Sequence, residues 1–208
     1  MVEVHIDEGA RGLIALLTRA LALDAQAVAR IQEVGEGQLD VFVTTPFDAI
    51  ASRRTLGSTT HPGAAVSAQA MLDALRDGRT EVGPARDAAW PGALPPASGF
   101  TAREEVPIGV ARHLADEGRN LARQFSGPAG PPRSLLDGVV LTADADSNQP
   151  VEIPMRMIFA CTALGLIPGF EAPAEIPRHL RVATAGSWVR LDAPFGSVYR
   201  SSRPNLLF

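Results

Sequence analysis

The sequence predicts an α+β fold: an antiparallel sheet with helices packed on it, built from two pseudo-repeated helix–strand–strand units. Three observations lead to this prediction. Helical spacing of apolar residues and strand-like alternation occur in separate stretches of the chain. The stretches 41–53 and 189–201 align without gaps, which places Pro46 over Pro194. Finally, a doubly wound parallel sheet is disfavoured, because strands and helices do not alternate and no glycine fingerprint joins a strand to a helix.

Length and composition fit one compact domain over 1–208. The chain has 208 residues, of which 46% are hydrophobic, and a formal net charge of -4. The sequence pI is about 5.6, so the chain lacks the basic character of a protein that binds nucleic acid, and no nucleic-acid partner is predicted. The longest apolar runs, near 13–23 and 157–167, are shorter than the roughly 20 residues that cross a bilayer, so no membrane contact is predicted. The acidic start of the chain differs from a signal peptide, and we expect a cytoplasmic protein.

Two absences in the composition exclude several kinds of site. All 19 basic residues are arginine, so Schiff-base chemistry, lysine-anchored pyridoxal phosphate and a P-loop lysine are excluded. Cys161 is the single cysteine, which excludes a disulfide within the chain and any multi-cysteine metal site. Apolar neighbours surround Cys161 in the sequence, and this pattern predicts a buried, unreactive thiol.

The first elements are a short strand and an amphipathic helix. Residues 2–6 alternate as a strand does, and residues 9–23 carry apolar side chains at the spacing of one buried helix face. Asp7 is predicted to be the N-cap of this helix.

A β-hairpin follows. Residues 27–34 and 39–45 have strand character, and the glycines in 35–37 predict a tight connection between them. The second strand should end at Pro46, because proline cannot donate a hydrogen bond to the ladder.

The middle segment 55–153 is rich in proline and glycine and is predicted to join the two repeats. It contains a helix over 64–77 that ends at Gly78, and an irregular crossing over 83–99 that Trp90 and Leu94 hold to the surface. A third helix spans 107–125, and its predicted inner stripe consists of Val110, Leu114, Leu121 and Phe125.

The last third of the chain predicts a second hairpin, a central helix and a strand pair. The hairpin combines 138–143 with 150–153, and the helix starts at Pro154 and continues to Ile167. Strands are predicted at 180–184 and 187–193, and the segment 196–200 follows them.

The two pseudo-repeats cover about 9–54 and 154–202. Residues on the inward strand positions match in kind at a constant offset of 148, as in Val41/Val189, Val43/Leu191, Phe47/Phe195 and Ile50/Val198. Inward positions are the ones that packing constrains most, so a repeated fold would produce this pattern. The alternative is chance similarity in a chain rich in alanine and leucine, which superposition of the two segments decides.

Several possible catalytic and metal motifs are incomplete. Residues 144–148 begin like a calcium loop, but Gln149 and Met155 stand where glycine and a bidentate glutamate are needed. The histidines show no metal-ligand spacing; they are His5, His61, His113 and His179. No Gly-x-Ser-x-Gly nucleophile elbow is present. We therefore predict no metal and no cofactor.

The candidate ligand site lies near the last strands. Its residues are Trp188, Arg190, Asp192, Tyr199 and Arg200, with Arg53 and Arg54 at the equivalent end of the first repeat. Converging arginines bind an anion or an acidic partner through two-point contacts. The alternative is that Arg190 and Asp192 form a solvated pair of little energetic value.

Two stretches carry a resemblance. At 90–96 and 188–199 the chain resembles an uncharacterised family of proteins from GC-rich actinobacteria. The resemblance implies no activity, cofactor or catalytic residue.

Two hypotheses about function follow. The first is a non-enzymatic interaction or ligand-binding module that self-associates as a homodimer, with the apolar tail Pro204–Phe208 available to a partner. The alternative is a small-molecule enzyme or binder with an arginine-lined pocket for an anionic substrate. In that case His113, Asp192 and Tyr199 are the candidates for proton transfer.

Overall fold

The structure is a computed structural model that describes residues 1–125, 132–144, 148–169 and 171–201. Contacts divide the chain into two compact units, and the predicted single domain over 1–208 stays a prediction. Unit 1 comprises Met1–Pro46 and Ile50–Ala97, and unit 2 comprises Phe47–Ala49 and Ser98–Arg203. The predicted turn at 144–149 is described only in part, and the predicted tail Pro204–Phe208 lies outside the described residues.

Unit 1 combines six strands with two helices. In chain order these elements are β1 (Val2–Glu8), α1 (Ala10–Leu23), β2 (Val28–Gly35), β3 (Gln38–Thr44), β4 (Ile50–Thr59), β5 (Ala65–Ser67), α2 (Ala68–Arg76) and β6 (Glu81–Gly83). A short 3-10 helix follows at Asp87–Ala89. The main strands pair in the order β5-β2-β3-β4, and β1 pairs with both β4 and β6, always antiparallel.

Helix α1 covers this sheet with the predicted face. It buries Leu13, Leu16, Leu17 and Ala20 and contacts β3 and β4. The predicted N-cap is wrong, because Asp7 belongs to β1 and Gly9 caps the helix in a left-handed conformation with φ of 91°. Glycine adopts this backbone conformation without steric cost, so the chain can turn sharply from strand to helix.

Unit 2 contributes six further strands and three helices. In chain order these are β7 (Thr101–Pro107), α3 (Ile108–Phe125), α4 (Arg133–Asp137), β8 (Val139–Ala143), β9 (Val151–Pro154), α5 (Met155–Ala163), β10 (His179–Ala185), β11 (Trp188–Ala193) and β12 (Gly196–Ser201). The strand order is β12-β11-β10-β7, and β8 and β9 form a separate two-stranded sheet. The fold is the predicted α+β class with antiparallel sheets.

The repeat is visible as a helix followed by an antiparallel meander in each unit: α1-β2-β3-β4 and α5-β10-β11-β12. The gapless alignment is wrong in its last strand. Val43 faces Ala51, whereas Leu191 faces Val198, so Ala51 rather than Ile50 corresponds to Val198. The one-residue slip arises because the connection before β4 is longer than the one before β12.

Two helix predictions need correction at their boundaries. Helix α2 begins at Ala68, because 65–67 pair as a strand with β2 and Ser67 caps the helix through Ala70 N–H. Helix α5 starts one residue after Pro154 and ends at Ala163, ahead of Gly165 with φ of 64°. It is otherwise buried on every side, as predicted for a central helix.

Helix α3 turns a different face inward from the one predicted. Val110 and Leu121 are 40% and 43% exposed, whereas Ala111 and Ala115 are buried. A Cβ atom on Gly118 would lie 2.7 Å from Met155 Cε, so α3 approaches α5 closely at its small residues. The bulky side chains of α5 occupy the space between the two helices, and this selects small residues on α3. The side chain of Phe125 lies outside the described residues.

Candidate functional site

One face of the β10–β11–β12 meander has two neighbouring cross-strand rows. Val182, Leu191 and Val198 form the first row and are fully buried. In the second row, Thr184 faces Val189 and Val189 faces Arg200. Because side chains alternate with a period of two, the arginine emerges on the same face as the buried row, at the edge of the core.

This second row lines a cavity of about 400 Å³ in unit 2. The β8–β9 hairpin supplies the facing wall. The lining residues are Arg103, Asp137, Val139, 149–152, Pro154, Met157, Thr184, 186–189 and Arg200. Apolar and charged groups therefore meet in one concave site, which is the usual composition of a ligand-binding pocket.

The two arginines of the pocket have unused hydrogen-bonding capacity among the described residues. Arg103 donates from Nε to Thr184 Oγ1 at 2.9 Å, and its Nη1 lies 3.7 Å from the Asp144 carboxylate. The Nε atom of Arg200 is buried and has no hydrogen-bond partner among the residues that the structure describes. A buried guanidinium nitrogen without a partner is costly, so a ligand oxygen at this position would be stabilising.

The two acidic residues that line the pocket differ in their contacts: Asp137 is ion-paired, whereas Glu152 is exposed. Asp137 forms an ion pair with Arg156, whose side chain is only 7% exposed. Arg156 also donates to the Phe47 carbonyl oxygen at 2.8 Å and lies 3.3 Å from Asp48. This buried arginine offsets the negative charge of Asp137 and fixes it in the pocket wall. Glu152 lies exposed at the rim.

The structure separates the predicted site residues of the last strands. Trp188 and Arg200 line the pocket. Arg190, Asp192 and Tyr199 lie on other positions of the hairpin, where Arg190 faces Tyr199.

These three residues contact one another and their neighbours. The Arg190 guanidinium lies 2.8 Å from Asp192 and 4.2 Å from the centre of the Phe100 ring. Tyr199 packs edge-on against Phe100, with ring centroids 6.0 Å apart. Asp192 also accepts a hydrogen bond from Ser197 at 2.5 Å.

Arg53 and Arg54 lie on β4 in unit 1 and do not line this pocket. Burial lowers the pKa of the Arg53 guanidinium, which packs against α1 at Gly12. Arg54 forms an ion pair with Asp40. Ligand binding by these two residues stays a prediction.

Sequence reasoning missed Arg103 and the role of Thr184. Arg103 lies at a β-bulge. Glu104 and Ala102 of β7 pair with the consecutive β10 residues Val182 and Ala183, so Arg103 is the extra residue between them. Bulges redirect a side chain without leaving a periodic signal in the sequence. Thr184 lies within a correctly predicted strand. Its place in the pocket wall depends on how that strand pairs with its neighbours, which the sequence pattern does not show.

The remaining candidates for chemistry lie elsewhere. Burial raises the pKa of the Cys161 thiol to about 12, and the charge of Asp192 adds to this shift, so the thiol stays protonated near neutral pH. His113 is exposed on α3 and lies 3.4 Å from Glu117. Within the described residues no cluster of three or more His, Cys, Asp or Glu side chains could hold a metal ion. No helix in the same part of the chain is long and apolar enough to cross a membrane.

Comparison with solved structures shows a fold shared with sliding clamps. The β sliding clamp of Caulobacter crescentus, with PEG bound to a putative beta-motif tethering region, matches with a TM-score of 0.59 and 13% identity, over 99% of this chain and 67% of that chain. The DnaN sliding clamp of Bartonella birtlesii bound to griselimycin matches with a TM-score of 0.57 and 13% identity, over 100% and 67% of the two chains. The chain thus spans about two thirds of the length of these clamps. At this identity the likeness shows the fold alone.

Sequence comparison gives two matches to families. No curated protein matches the chain. A family described as Domain of unknown function (DUF8010) matches residues 3–92, which belong to unit 1 except for Phe47–Ala49. A second family, described as Domain of unknown function (DUF8185), matches residues 95–205. Because this second match covers more than half of the sequence, the chain belongs to the family Domain of unknown function (DUF8185).

Proposed function

We propose that this protein is a non-enzymatic interaction module that binds an anionic, partly apolar segment of a partner protein in the pocket of unit 2. The observation that carries this proposal is the combination of Arg103 and Arg200 with apolar walls around a cavity of about 400 Å³. A cavity of this size takes a few side chains of a bound segment. Its apolar lining includes Val139, Val151 and Met157.

The charges in the pocket favour an acidic segment. A carboxylate that reaches Arg200 Nε would supply the hydrogen bond that this buried nitrogen lacks among the described residues. The hydrogen bond to Thr184 orients Arg103 through its Nε atom and leaves its two terminal nitrogens for other partners. Guanidinium groups held in this way bind carboxylates through short, directional, charge-assisted hydrogen bonds.

The shared fold supports interaction rather than catalysis. The similar structures are named as sliding clamps and as a subunit of a DNA polymerase, which describes parts of an assembly. The candidates for proton transfer do not line the pocket: His113 is on α3, while Asp192 and Tyr199 are engaged with Ser197 and Phe100. The predicted proton-transfer residues are therefore not among the lining side chains, and the two arginines of the pocket do not exchange protons near neutral pH.

A small anion is the second candidate ligand, favoured by the Nε of Arg200, which has no hydrogen-bond partner in the described part of the chain. Thermal unfolding against a panel of phosphates, carboxylates and nucleotides separates the two possibilities. A small anion that binds the native state raises the melting temperature by mass action, and the rise grows with the logarithm of its concentration once that exceeds the dissociation constant. A rise that disappears in Arg200→Gln would favour the small-molecule binder over the protein segment.

We further propose self-association as a homodimer in the cytoplasm, and we retain the expected origin in a GC-rich actinobacterium. Nucleic acid is not proposed as a partner, because the sequence pI is about 5.6 and Arg119 on α3 is paired with Asp116 at 2.5 Å. Native mass spectrometry tests self-association directly. A species of twice the 21.9 kDa chain mass is expected, and a monomer at all concentrations would contradict it.

Peptide selection tests the proposed pocket. A random heptapeptide library displayed on phage is panned against the immobilised protein, and selected peptides are synthesised for affinity measurements. We expect enrichment of sequences that combine an acidic residue with large apolar ones.

Variants then locate the binding site. Arg103→Gln and Arg200→Gln should each weaken binding by roughly 10-fold to 150-fold, since a charge-assisted hydrogen bond contributes roughly 1.5–3 kcal/mol. Arg181→Gln is the matched control, because Arg181 lies exposed on β10 and outside the pocket. Equal losses in all three variants, or no selected peptide, would refute the proposal.

A further inference from the structure

Asp144 occupies the approach to Arg103 from the end of β8. Its Oδ2 atom lies 3.7 Å from Arg103 Nη1, and both side chains are 27% exposed. This separation exceeds hydrogen-bonding distance, so the two groups attract by charge alone. Among the described residues, Arg103 makes its hydrogen bond from Nε to Thr184 instead.

The backbone of Asp144 is fixed independently of its carboxylate. Its N–H donates to Glu104 Oε2 at 2.8 Å, and Glu104 follows Arg103 directly on β7. Asp144 adopts a left-handed conformation with φ of 50°, which aspartate tolerates better than most residues. The carboxylate is thereby held beside Arg103 while the N–H contact ties the β8–β9 hairpin to β7.

The position of this contact connects it to the pocket. Arg103 lines the cavity, and so do Val139 on β8 and the residues 149–152 that lead into β9. Asp144 itself does not line the cavity. Its carboxylate therefore attracts the Arg103 guanidinium from outside the cavity, and a ligand that binds Arg103 from the cavity has to draw the guanidinium away from it.

The energies of the two interactions differ. A partly exposed ion pair without a hydrogen bond contributes little. A ligand carboxylate that forms charge-assisted hydrogen bonds with the terminal nitrogens of Arg103 is held more strongly. The ligand should therefore prevail over Asp144, but the lost attraction between Asp144 and Arg103 offsets part of its binding free energy.

We propose that Asp144 is a specificity-determining residue that competes with the ligand for Arg103 and thereby sets the affinity of the pocket for anionic segments. This inference rests on the proposed function of the pocket. It identifies a residue outside the cavity that tunes binding, and it assigns Glu104 the role of holding the competitor in place.

The test compares the selected heptapeptide with an analogue in which its acidic residue is replaced by the amide. In Asp144→Asn the peptide should bind about threefold to fivefold more tightly, while the neutral analogue changes little. Asparagine keeps the backbone N–H and accepts the left-handed conformation. Asp144→Gly also removes the carboxylate, and glycine adopts the left-handed conformation without strain, so this variant should give the same gain in affinity.

A double-mutant cycle shows whether the effect passes through Arg103. In the Arg103→Gln background, Asp144→Asn should leave the peptide affinity unchanged. Asp116→Asn is the matched control, because it removes an aspartate that pairs with Arg119 on α3 and should not alter binding.

Two results would overturn the inference while the proposed function stands. One is peptide binding by the parent protein that Asp144→Asn and Asp144→Gly leave unchanged or weaken. The other is an equal gain in the Arg103→Gln background. If no peptide binds the parent protein or any variant, the proposed function fails and this inference fails with it.

Discussion

Asp40 on β3 and Arg54 on β4 face each other across the unit 1 sheet and form a two-point ion pair. Arg54 Nε lies 2.8 Å from Asp40 Oδ1, and Arg54 Nη2 lies 2.7 Å from Asp40 Oδ2. The Asp40 side chain is 8% exposed, so its carboxylate depends on this partner. The arginine predicted as a ligand-binding residue thus has a structural task within its own sheet.

Arg54→Gln should destabilise unit 1. Loss of the guanidinium leaves a buried carboxylate without its charge partner, and we expect the free energy of unfolding to fall by about 2–4 kcal/mol, somewhat less than for a fully buried pair. Urea denaturation measures the change. The double variant Asp40→Asn/Arg54→Gln is the control and should recover part of the loss. Unchanged stability together with weakened peptide binding would instead make Arg54 a ligand-binding residue.

The fold was predictable where apolar periodicity is strong. Helix α1 has apolar residues at helical spacing, and the β2–β3 and β10–β11 hairpins have alternating apolar residues. These patterns identify the elements from the sequence alone. Strand β4 was missed because its sequence includes Ser52, Arg53, Arg54 and Thr55, which pair with β3 although they carry little apolar signal. The inner face of α3 was misassigned because close helix packing there selects small side chains.

The site was predictable only in part. Trp188 and Arg200 were identified from the density of functional side chains near the last strands, and both line the pocket. Arg103 comes from a strand some 80 residues earlier, and its hydrogen bond to Thr184 spans a sequence separation of 81. Such a contact depends on strand order and on a bulge, neither of which periodicity encodes.

Gly57→Ala should strongly destabilise the β1–β4 pair. A Cβ atom at this position would lie 2.0 Å from the His5 carbonyl oxygen, a backbone atom that cannot move aside independently. We expect a loss of about 2–3 kcal/mol or more, as for other overpacked sites. Chemical denaturation measures it. Gly35→Ala in the same unit is the control, since no atom lies within 4 Å of its added Cβ. Similar stabilities for the two variants would contradict the close approach of β1 and β4.

Thr184→Val should weaken peptide binding without altering the packing of β10. Valine preserves the shape of threonine but removes the hydroxyl that accepts from Arg103 Nε at 2.9 Å. The lost orientation of Arg103 should lower affinity about twofold to tenfold, the range of a single hydrogen bond of roughly 0.5–1.5 kcal/mol. Fluorescence anisotropy with the selected peptide gives the dissociation constant. Thr184→Ser keeps the hydroxyl and should restore binding; identical behaviour of the two variants would exclude this role.

The buried Cys161 thiol should make the protein less stable at alkaline pH. Its pKa rises from 9.0 to about 12 on folding, because burial disfavours the thiolate and Asp192 repels it. The unfolded chain therefore releases this proton first, and the thiol's contribution is complete below pH 9 and is lost as the pH rises toward 12. The free energy of unfolding should fall by about 1.4 kcal/mol per pH unit in this window.

Urea midpoints of the parent and of Cys161→Ala, measured from pH 7 upward, isolate the effect from other alkaline titrations. The variant should lack this extra slope, and parallel curves would show that Cys161 does not titrate as its burial requires.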